Sequence, residues 1–490
     1  MASNADSTKP LQKPISNRQR KQLERQAERN RELAAQRQAT TRTPFREAEL
    51  AFLARLPPPD YSKALNFRLP REELLQKNPK VKIVPITKKL DQISPLFGLR
   101  SDTATATAAA AGTVNERVEE VVENEWDSSL SEYAYMHDDH PGLIYIPAGF
   151  TPSAQKELIR NCLAKYSRHP NKSNLDTHYI VPDEGVWQLH EKVFKGETTL
   201  EDPSVFVQKR AKVDDQAAGY GSDDDSDDED NNNSKDKHGP PDAKKHKESN
   251  GQAAPAPKSA TEAVSKPSSI RTLVPIIAGS PTVPDGVPKA DLGPSATVPI
   301  LPPSQLFRKM RWITLGYQYH WPSKTYHFDQ NAPFPSELCE LSKGVVEAIE
   351  GIGGYSYPSK DFVAEAGVIN YYQLKDRLMG HVDRSELNKT APLVSFSFGH
   401  SCIYLLGGPD RETAPTPILL QSGDILVMTG PCRAAFHGVP RIIEDTLPSY
   451  LQKHEQEPGW DICADYLAEA RINLNIRQVF PPGQATPSQA

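Results

Sequence analysis

Short runs of β-forming residues, separated by turns rich in Gly, Pro and Asp, fill the chain from about residue 304 onwards. The runs predicted as strands are 366–372, 393–398, 402–406, 418–421, 424–428, 435–439 and 471–479. Such spacing, without long helical periods between the runs, is typical of a β-sandwich or barrel, and two facing sheets would form a jelly roll. Helices are predicted at 336–349 and 460–470, packed outside the sheets.

The segment 471–477 alternates polar and apolar residues without a break. On a strand, Arg471, Asn473, Asn475 and Arg477 would share one face, with isoleucine and leucine on the other. An ordinary strand with one solvated side explains this pattern. Two arginines on one face would also hold a small dicarboxylate at both ends, because each guanidinium matches a carboxylate with a fork of donors.

A second ordered region is predicted to begin near Pro141, with a β-prone run at 141–147 followed by a helix. Thr151 is the expected N-cap of this helix, since Pro152 suits the first helical position. The expected fold is therefore mainly β with flanking helices, around a double-stranded β-helix core.

The remaining segments have the composition of disordered chain, with few residues that could form a core. The predicted parts are a disordered or helical extension at 1–135, the first part of the domain at 136–207, a low-complexity insertion at 208–303, the jelly-roll core at 304–482 and a tail at 483–490.

Charge is concentrated in one place. The net charge is -6, but the seven acids within 223–230 account for more than all of it, so the rest of the chain sums to about +1. No global basic field therefore indicates nucleic-acid binding. We interpret the acidic run as a solubilising spacer, with contact to basic proteins as the alternative, and the short basic run 244–247 as a candidate nuclear import patch.

Five scattered cysteines without a CxxC pair indicate reduced intracellular thiols rather than a zinc site or a disulfide scaffold. No apolar run approaches the roughly 20 residues that cross a bilayer, and the N-terminus lacks a secretory signal. We expect an intracellular protein of the nucleus or cytoplasm without a membrane anchor. The mitochondrion is a weaker alternative, because Glu24, Glu28 and Glu32 disturb a transit-peptide pattern.

Candidate metal chemistry lies at His381-Val-Asp383, followed much later by His437. On an extended strand, residues two apart share a face, so an imidazole and a carboxylate can meet at one point. A third ligand from a neighbouring strand would complete two histidines and one carboxylate, the set that leaves positions open on iron(II). An HxD pair alone arises by chance, and a single histidine is more often structural. Asn370 and Tyr372 share a strand face as well and could complete the same pocket.

The order Asn370-x-Tyr372, His381-x-Asp383, His437 and Arg471-x-Asn473-x-x-x-Arg477 resembles the AlkB family of iron(II)/2-oxoglutarate dioxygenases. Longer stretches, including Arg311-Trp-Ile-Thr-Leu-Gly-Tyr-Gln-Tyr and His381-Val-Asp-Arg-Ser-Glu, are similar to the eukaryotic AlkB homologue 1 group. The resemblance covers about 140–200 and 304–482.

The resemblance implies Fe(II), 2-oxoglutarate and O2 as cofactors and co-substrates. It implies iron ligation by His381, Asp383 and His437. The residues that it implies for 2-oxoglutarate are Asn370, Tyr372, Arg471, Asn473 and Arg477, with Arg471 at the far carboxylate and Arg477 nearer the metal. Asn475 stands where the family commonly has threonine, which puts the local packing in question.

Trp312, Tyr317, Tyr319 and Ser385 are the residues that the resemblance implies for substrate binding, although the aromatic side chains could equally pack the core. Ser385 replaces an acidic residue of bacterial AlkB, so broad alkylation repair of DNA is a weaker expectation than the oxygenase chemistry.

The implied reaction is oxidative demethylation of N-methylated nucleobases, with release of formaldehyde, succinate and CO2. N1-methyladenosine in tRNA is slightly preferred over N6-methyladenine in DNA, and the base must be single-stranded, looped or flipped. The alternatives are a dioxygenase of histone or other protein side chains and a catalytically silent adaptor. The expected partners are nucleic acid and, secondarily, chromatin proteins, and the expected state is a monomer.

The core itself is not basic, with 16 Lys/Arg against 20 Asp/Glu in 304–490. Electrostatic attraction to nucleic acid must then come from a local patch or from the basic arm at 17–46. Deleting that arm is predicted to weaken RNA binding more than turnover of a single nucleoside.

Overall fold

The computed structural model describes residues 42–55, 57–97, 127–210, 298–320, 324–355, 357–454, 457 and 459–484. These residues belong to one compact unit, which comprises Met1–Gly219 and Pro294–Ala490. The second unit, Tyr220–Gly293, lies outside the described residues. So do most of the predicted N-terminal arm, the acidic run, the candidate import patch and most of the tail.

Strands dominate the described part of the chain, as the sequence predicts. They are β1 Val81–Pro85, β2 Tyr133–His137, β3 Leu143–Ile146, β4 Lys172–Ser173, β5 Trp312–His320, β6 Thr325–Asn331, β7 Ala366–Gln373, β8 Leu378–His381, β9 Leu393–Gly399, β10 Cys402–Leu406, β11 Thr416–Leu420, β12 Ile425–Met428, β13 His437–Ile442 and β14 Ala470–Arg477. Ten of these form a major sheet in the order β1-β2-β3-β12-β9-β14-β7-β5-β4, with β6 paired to β5. The other four form a minor sheet in the order β11-β10-β13-β8.

Strand β14 lies near the middle of the major sheet, between β7 and β9. Its register sets Arg471 opposite Tyr372 and Asn473 opposite Asn370, so these four side chains share one face. Ile472, Leu474 and Ile476 point to the other face and are fully buried. The alternation of 471–477 therefore separates a polar inner face from an apolar outer one.

The α-helices cover the outer faces of the sheets. They are α1 Pro44–Leu53, α2 Arg71–Lys77, α3 Leu90–Ile93, α4 Pro152–Arg160, α5 Gly185–Phe194, α6 Pro303–Phe307, α7 Ser336–Ala348 and α8 Asp461–Leu467. Apolar side chains of α4 to α8 join those of β14, β9 and β7 in the largest core cluster. Burial of this apolar surface is the main favourable term for the major sheet.

A second core cluster lies between the two sheets. It contains Tyr145, Leu426 and Met428 from the major sheet, with Tyr404 and Leu406 from the minor sheet. Facing sheets with interdigitated side chains are the jelly-roll arrangement, so the predicted fold class is confirmed.

The predicted strands of the core are all present. The strand at 402–406 has the predicted bounds, and the bounds of the others shift by up to three residues. The helix predicted at 336–349 is Ser336–Ala348, and Thr151 caps α4 through its side chain with Pro152 in the first turn. The helix predicted at 460–470 ends at Leu467, because Ala470 already begins β14.

Folded structure begins earlier than the expected start near Pro141. Strand β1 forms the edge of the major sheet, and Phe45, Phe67 and Leu74 are fully buried. The extension 1–135 therefore contributes part of the core through its described residues. Among all the residues that the structure describes, no helix is both long and apolar enough to cross a membrane.

Candidate active site

Two strands of the minor sheet bring the predicted metal ligands together. His381 ends β8, His437 begins β13, and the antiparallel register places the two directly opposite each other. Asp383 follows two residues after His381. The side-chain ligand atoms of the three residues all lie within 4.8 Å of one another, the one such group among the described residues.

The geometry within this group leaves one nitrogen of each imidazole facing the carboxylate. Nε2 of His381 is 3.9 Å from Oδ1 of Asp383, and Nε2 of His437 is 3.8 Å from Oδ2. Each Nδ1 lies near a backbone carbonyl, that of Met379 at 2.9 Å and that of Ala435 at 3.1 Å. An Nδ1–H that donates to a carbonyl fixes the tautomer and leaves Nε2 as a lone-pair ligand.

The charge states of the group suit a cation. Burial raises the pKa of Asp383, but the neighbouring Arg477 guanidinium outweighs burial, with His381 and His437 acting in the same direction, and holds the pKa below its ordinary value. Burial, together with the neighbouring His381, lowers the pKa of His437 to about 4. Near pH 7 the cluster therefore offers a carboxylate and a neutral imidazole.

A buried network of two arginines and a glutamate lies behind Asp383. Arg477 donates to Oδ2 of Asp383 at 3.0 Å and to Oε1 of Glu386 at 3.1 Å. Arg433 donates to Oε2 of Glu386 at 2.8 Å and to the backbone oxygen of Asp383 at 3.0 Å. Glu386 is 1% exposed. The network ties the loop after β8 to β14 and to the turn before β13.

Sequence reasoning missed the roles of Glu386 and Arg433. Glu386 lay within the quoted run His381-Val-Asp-Arg-Ser-Glu, but its pairing depends on a turn that is distant in sequence. Burial raises the pKa of Glu386, and the charges of Arg477 and Arg433 overcome burial and lower it.

Arg471 is a buried cation without a carboxylate partner among the described residues. It is 1% exposed, and its terminal nitrogens donate to the His400 carbonyl and to Oγ of Ser397, each at 2.7 Å. Its Nε has no hydrogen-bond partner in the structure. A buried guanidinium that meets only neutral acceptors is costly, and an anionic ligand would offset that cost.

The other predicted 2-oxoglutarate residues lie beside Arg471 on the same face. Tyr372 is opposite Arg471, and Asn370 is opposite Asn473. Nδ2 of Asn473 donates to Oγ of Ser395 at 2.9 Å, and Nδ2 of Asn475 donates to Oδ1 of Asn473 at 2.7 Å. Asn475 thus adds a hydrogen bond to Asn473 at the position where threonine is common in the family.

The predicted substrate residues differ in burial. Trp312 is opposite Asn370 and half-buried, and Ser385 donates to the Tyr319 hydroxyl at 3.4 Å. Tyr317, in contrast, is 3% exposed and packs against Phe480. Tyr317 thus packs in the interior, and its role in substrate binding stays a prediction.

Gly316 lies between Trp312 and Tyr317 and interrupts the regular geometry of β5. Gly316 has φ +68°, and a Cβ there would lie 2.1 Å from the Glu365 carbonyl, so only glycine fits. The strand's pairing with β6 also shifts register just beyond, between Tyr317 and Gln318.

The donor set fits the implied cofactors. Two imidazole nitrogens and one carboxylate oxygen on adjoining backbone segments match the ligand set of iron(II) oxygenases. The unpaired charge of Arg471, on the same inner face of β14 as Arg477, suits the second carboxylate of a dicarboxylic acid.

Comparison with known proteins agrees with this arrangement. The family model of the 2OG-Fe(II) oxygenase superfamily matches residues 294–477. The mouse protein "Nucleic acid dioxygenase ALKBH1" is 32% identical over 372 residues, which are 72% of this chain and 68% of the mouse protein. The chain belongs to the AlkB family of 2OG-Fe(II) oxygenases. Membership implies Fe(II), 2-oxoglutarate and O2 as the cofactor and co-substrates of this enzyme.

Other AlkB-family relatives match a smaller part. "tRNA demethylase abh1" of Schizosaccharomyces pombe is 38% identical over 39% of this chain and 59% of its own length. "DNA N(6)-methyladenine demethylase ALKBH1A" of Arabidopsis thaliana is 38% identical over 36% of this chain and 51% of its own length. These relatives place the chain close to ALKBH1 within the family.

Proposed function

We propose that this dioxygenase oxidatively demethylates N-methylated nucleobases, with N1-methyladenosine in tRNA preferred and N6-methyladenine in DNA as the second substrate. The observation that carries the proposal is the convergence of His381, Asp383 and His437 near Arg477, with the unpaired Arg471 on the same β14 face as Arg477. A non-catalytic platform would need neither the ligand set nor a buried arginine without an anionic partner.

The protein's part in the reaction is to hold and orient the metal ion, 2-oxoglutarate and the methylated base. His381, Asp383 and His437 would ligate the iron through Nε2, a carboxylate oxygen and Nε2. Bound iron and 2-oxoglutarate supply, with O2, a two-electron oxidation of a C–H bond that leaves succinate and CO2. Arg471 would hold the far carboxylate of 2-oxoglutarate, and the closely packed sheets keep bulk water away from it.

The nucleobase step follows from N-methyl chemistry. Hydroxylation of an N-methyl group gives an N-hydroxymethyl base, which loses formaldehyde. This leaves an unsubstituted N1 in adenosine, with a proton released to solvent, or an N–H at N6 of adenine. The methyl group lies on a base edge that pairing conceals, so the enzyme would act on an unpaired or flipped base. Trp312 lies opposite Asn370 of β7, and Tyr319 accepts a hydrogen bond from Ser385, two residues after Asp383. Aromatic rings at these positions favour a planar substrate.

Named relatives support this substrate class. The fission-yeast protein is named for tRNA demethylation and the Arabidopsis protein for N6-methyladenine in DNA. Ser385, where bacterial AlkB has an acidic residue, supports a narrower range than general alkylation repair.

The test is a side-by-side assay of full-length protein with Fe(II) and 2-oxoglutarate. The substrates are an N1-methyladenosine tRNA stem-loop, a bulged DNA with N6-methyladenine and a methylated histone peptide. Mass spectrometry should show loss of 14 Da from the nucleic acids, faster for the tRNA stem-loop, with formaldehyde in equal amount. The control is His381→Ala, which should abolish both products.

Demethylation of the peptide alone would refute the proposal in favour of a protein-directed dioxygenase. Succinate formation without loss of any methyl group from the nucleic acids would refute the substrate class while leaving the oxygenase chemistry intact.

A further inference from the structure

Helix α1 packs against the face of the minor sheet that points away from the candidate active site. Its Phe45 and Phe52 are buried with Ile403 and Leu405 of β10. Thr43 caps the helix by accepting a hydrogen bond from the Arg46 amide. The helix therefore covers the back of the sheet that carries both histidines.

A buried carboxylate of α1 bonds to the backbone directly before a candidate metal ligand. The amide of Gly380 donates to Oε1 of Glu49 at 2.6 Å, and Glu49 is 1% exposed. Oε2 of Glu49 accepts from Arg46 at 3.2 Å. The Gly380 carbonyl accepts from Arg411 at 2.8 Å. Both polar backbone groups of Gly380 are thus held by side chains.

Strand β8 needs such support because it stands at the end of the minor sheet, paired with β13 alone among the described strands. An edge strand has one side without ladder hydrogen bonds, so its position is only loosely set by the sheet. The bonds of Glu49 and Arg411 fix the peptide that leads into His381.

Phe45 extends the same contact to the second histidine. A Cβ on Gly380 would lie 2.4 Å from Cε1 of Phe45, so the ring rests directly on this glycine. The Phe45 ring also packs with Phe436 at a centroid distance of 6.1 Å. Gly380 and Phe436 are the residues immediately before His381 and His437. One helix therefore contacts the backbone or side chain preceding each of them.

We propose that α1 positions the metal centre, and that Glu49 sets the place of His381 by holding the Gly380 amide. The inference rests on the proposed function, since it takes His381 and His437 as ligands. Groups that orient metal ligands without touching the metal change affinity by about ten- to a hundredfold when they are replaced. A helix that only covered apolar surface would affect stability without this effect on metal binding.

The experiment measures Co(II) affinity of the full-length protein by visible absorption, without 2-oxoglutarate or nucleic acid. Glu49→Met removes the acceptor, Glu49→Gln keeps an acceptor oxygen, and Glu47→Met alters an exposed glutamate on the same helix. We expect Kd for Co(II) to rise about tenfold or more in Glu49→Met, and to stay within about threefold of wild type in Glu49→Gln and Glu47→Met. Circular dichroism and Tm report whether each variant is folded.

A folded Glu49→Met that binds Co(II) like wild type would overturn the inference. If Glu49→Met does not fold, Arg411→Met provides the second variant. It removes from an exposed residue the donor to the Gly380 carbonyl and the guanidinium that lies 5.5 Å from the Phe436 ring centroid, so both lost contacts are with residues that precede a candidate ligand. It should raise Kd in the same way, and unchanged affinity in that variant would also overturn the inference.

One further control separates the two proposals. Wild-type Co(II) binding should disappear in His381→Ala. Co(II) binding that persists in His381→Ala, or the lack of any Co(II) binding in wild type, would defeat the proposed function and this inference together. Binding that depends on His381 but ignores both Glu49 and Arg411 would defeat only the role of α1.

Discussion

Arg471 is the residue whose environment is hardest to explain without a ligand. Buried guanidinium groups in proteins normally face a carboxylate, whereas this one meets a carbonyl and a hydroxyl and leaves Nε unpaired. The cost of this arrangement is offset only when an anion binds. At residue scale, the candidate site is therefore built for a cofactor that supplies a carboxylate.

We predict that Arg471→Met weakens 2-oxoglutarate binding to Mn(II)-loaded protein by about a hundredfold, because the variant has no buried charge to pair with the carboxylate. Arg471→Lys should restore little, since an ammonium lacks the fork of the guanidinium. Isothermal titration measures both variants. Arg55→Met, which removes a half-exposed arginine, is the control and should bind as wild type does. Affinity within threefold of wild type in Arg471→Met would contradict the assignment.

Glu386 balances the charges of Arg433 and Arg477 in the interior. We predict that Glu386→Gln lowers the free energy of unfolding by about 3 to 5 kcal/mol, because it leaves two buried cations with fewer anions. In urea denaturation without metal, the double variant Glu386→Gln with Arg433→Met should lose less than the sum of the single losses. Strictly additive losses would show that the three side chains do not act as one network.

His140 gives the fold a pH dependence outside the candidate site. Burial, together with nearby His137, lowers its pKa to about 4, and its Nε2 lies 2.7 Å from Oγ1 of Thr416. The unfolded imidazole titrates near 6.5, so the unfolded state binds more protons between pH 6.5 and 4. Stability should be complete above 6.5 and should fall as the pH drops through this window.

His140 contributes at most about 1.4 kcal/mol per pH unit to the slope of the unfolding free energy against pH. Urea denaturation of wild type and His140→Gln at several pH values measures it. The variant should show a flatter profile below pH 6.5 and a constant difference from wild type above it. Parallel profiles throughout would mean that another group causes any acid lability.

Elements with a strong local pattern could be predicted from sequence, and elements that depend on distant partners could not. The polar–apolar alternation of 471–477 predicts a strand, and the pair Thr151-Pro152 predicts the start of a helix, each without reference to any distant residue. Strand β8, Leu378–His381, lacks the β-branched residues that mark a strand and exists because β13 and Glu49 hold it. Strand β1 was likewise missed, since its partner β2 is about fifty residues away.

The same division holds within the candidate site. The three predicted ligands and the five predicted 2-oxoglutarate residues lie in motifs that can be read locally. The register of the minor sheet sets His381 opposite His437, and the register of the major sheet sets the 2-oxoglutarate residues on one face. Glu386, Arg433 and Glu49 act through pairs far apart in the chain, and no local pattern signals such a pair.

The N-terminus of α4 tests whether an N-cap predicted from the local sequence contributes to stability. The Thr151 side chain accepts from the Ala154 amide at 3.2 Å. We predict that Thr151→Ala costs about 1 kcal/mol of unfolding free energy, because one amide of the first turn loses its partner. Ser153→Ala, within the same turn, should change stability by less. A loss in Thr151→Ala no larger than in Ser153→Ala would show that water satisfies the amide equally well.

At the scale of the whole molecule, the catalytic fold is assembled from segments far beyond the matched family region 294–477. Strands β1 to β4 extend the major sheet, and α1 covers the minor one. The predicted arm 17–46 therefore includes the start of a folded helix, since Phe45 and Arg46 belong to α1. Residues 42–46 of the predicted arm lie in the described fold, and residues 17–41 lie outside the described residues.

Deletion of 1–41 is the cleaner test of the arm. That segment carries nine Lys/Arg against four Asp/Glu and lies outside the described residues. We predict that its removal weakens tRNA binding and reduces the slope of log K against log salt by roughly 0.7 to 0.9 for each phosphate that the arm neutralises. Turnover of a single methylated nucleoside should be unchanged.

Deletion of 1–55 should behave differently, because it also removes Phe45, Glu49 and Phe52 from the back of the minor sheet. Removal of two buried phenylalanines is expected to cost about 3 kcal/mol or more of stability. Nucleoside turnover should then fall together with Tm, whereas the shorter deletion leaves both intact. If the shorter deletion already impairs nucleoside turnover, residues before 42 serve the catalytic domain itself, and electrostatic attraction to nucleic acid must be sought on the folded surface.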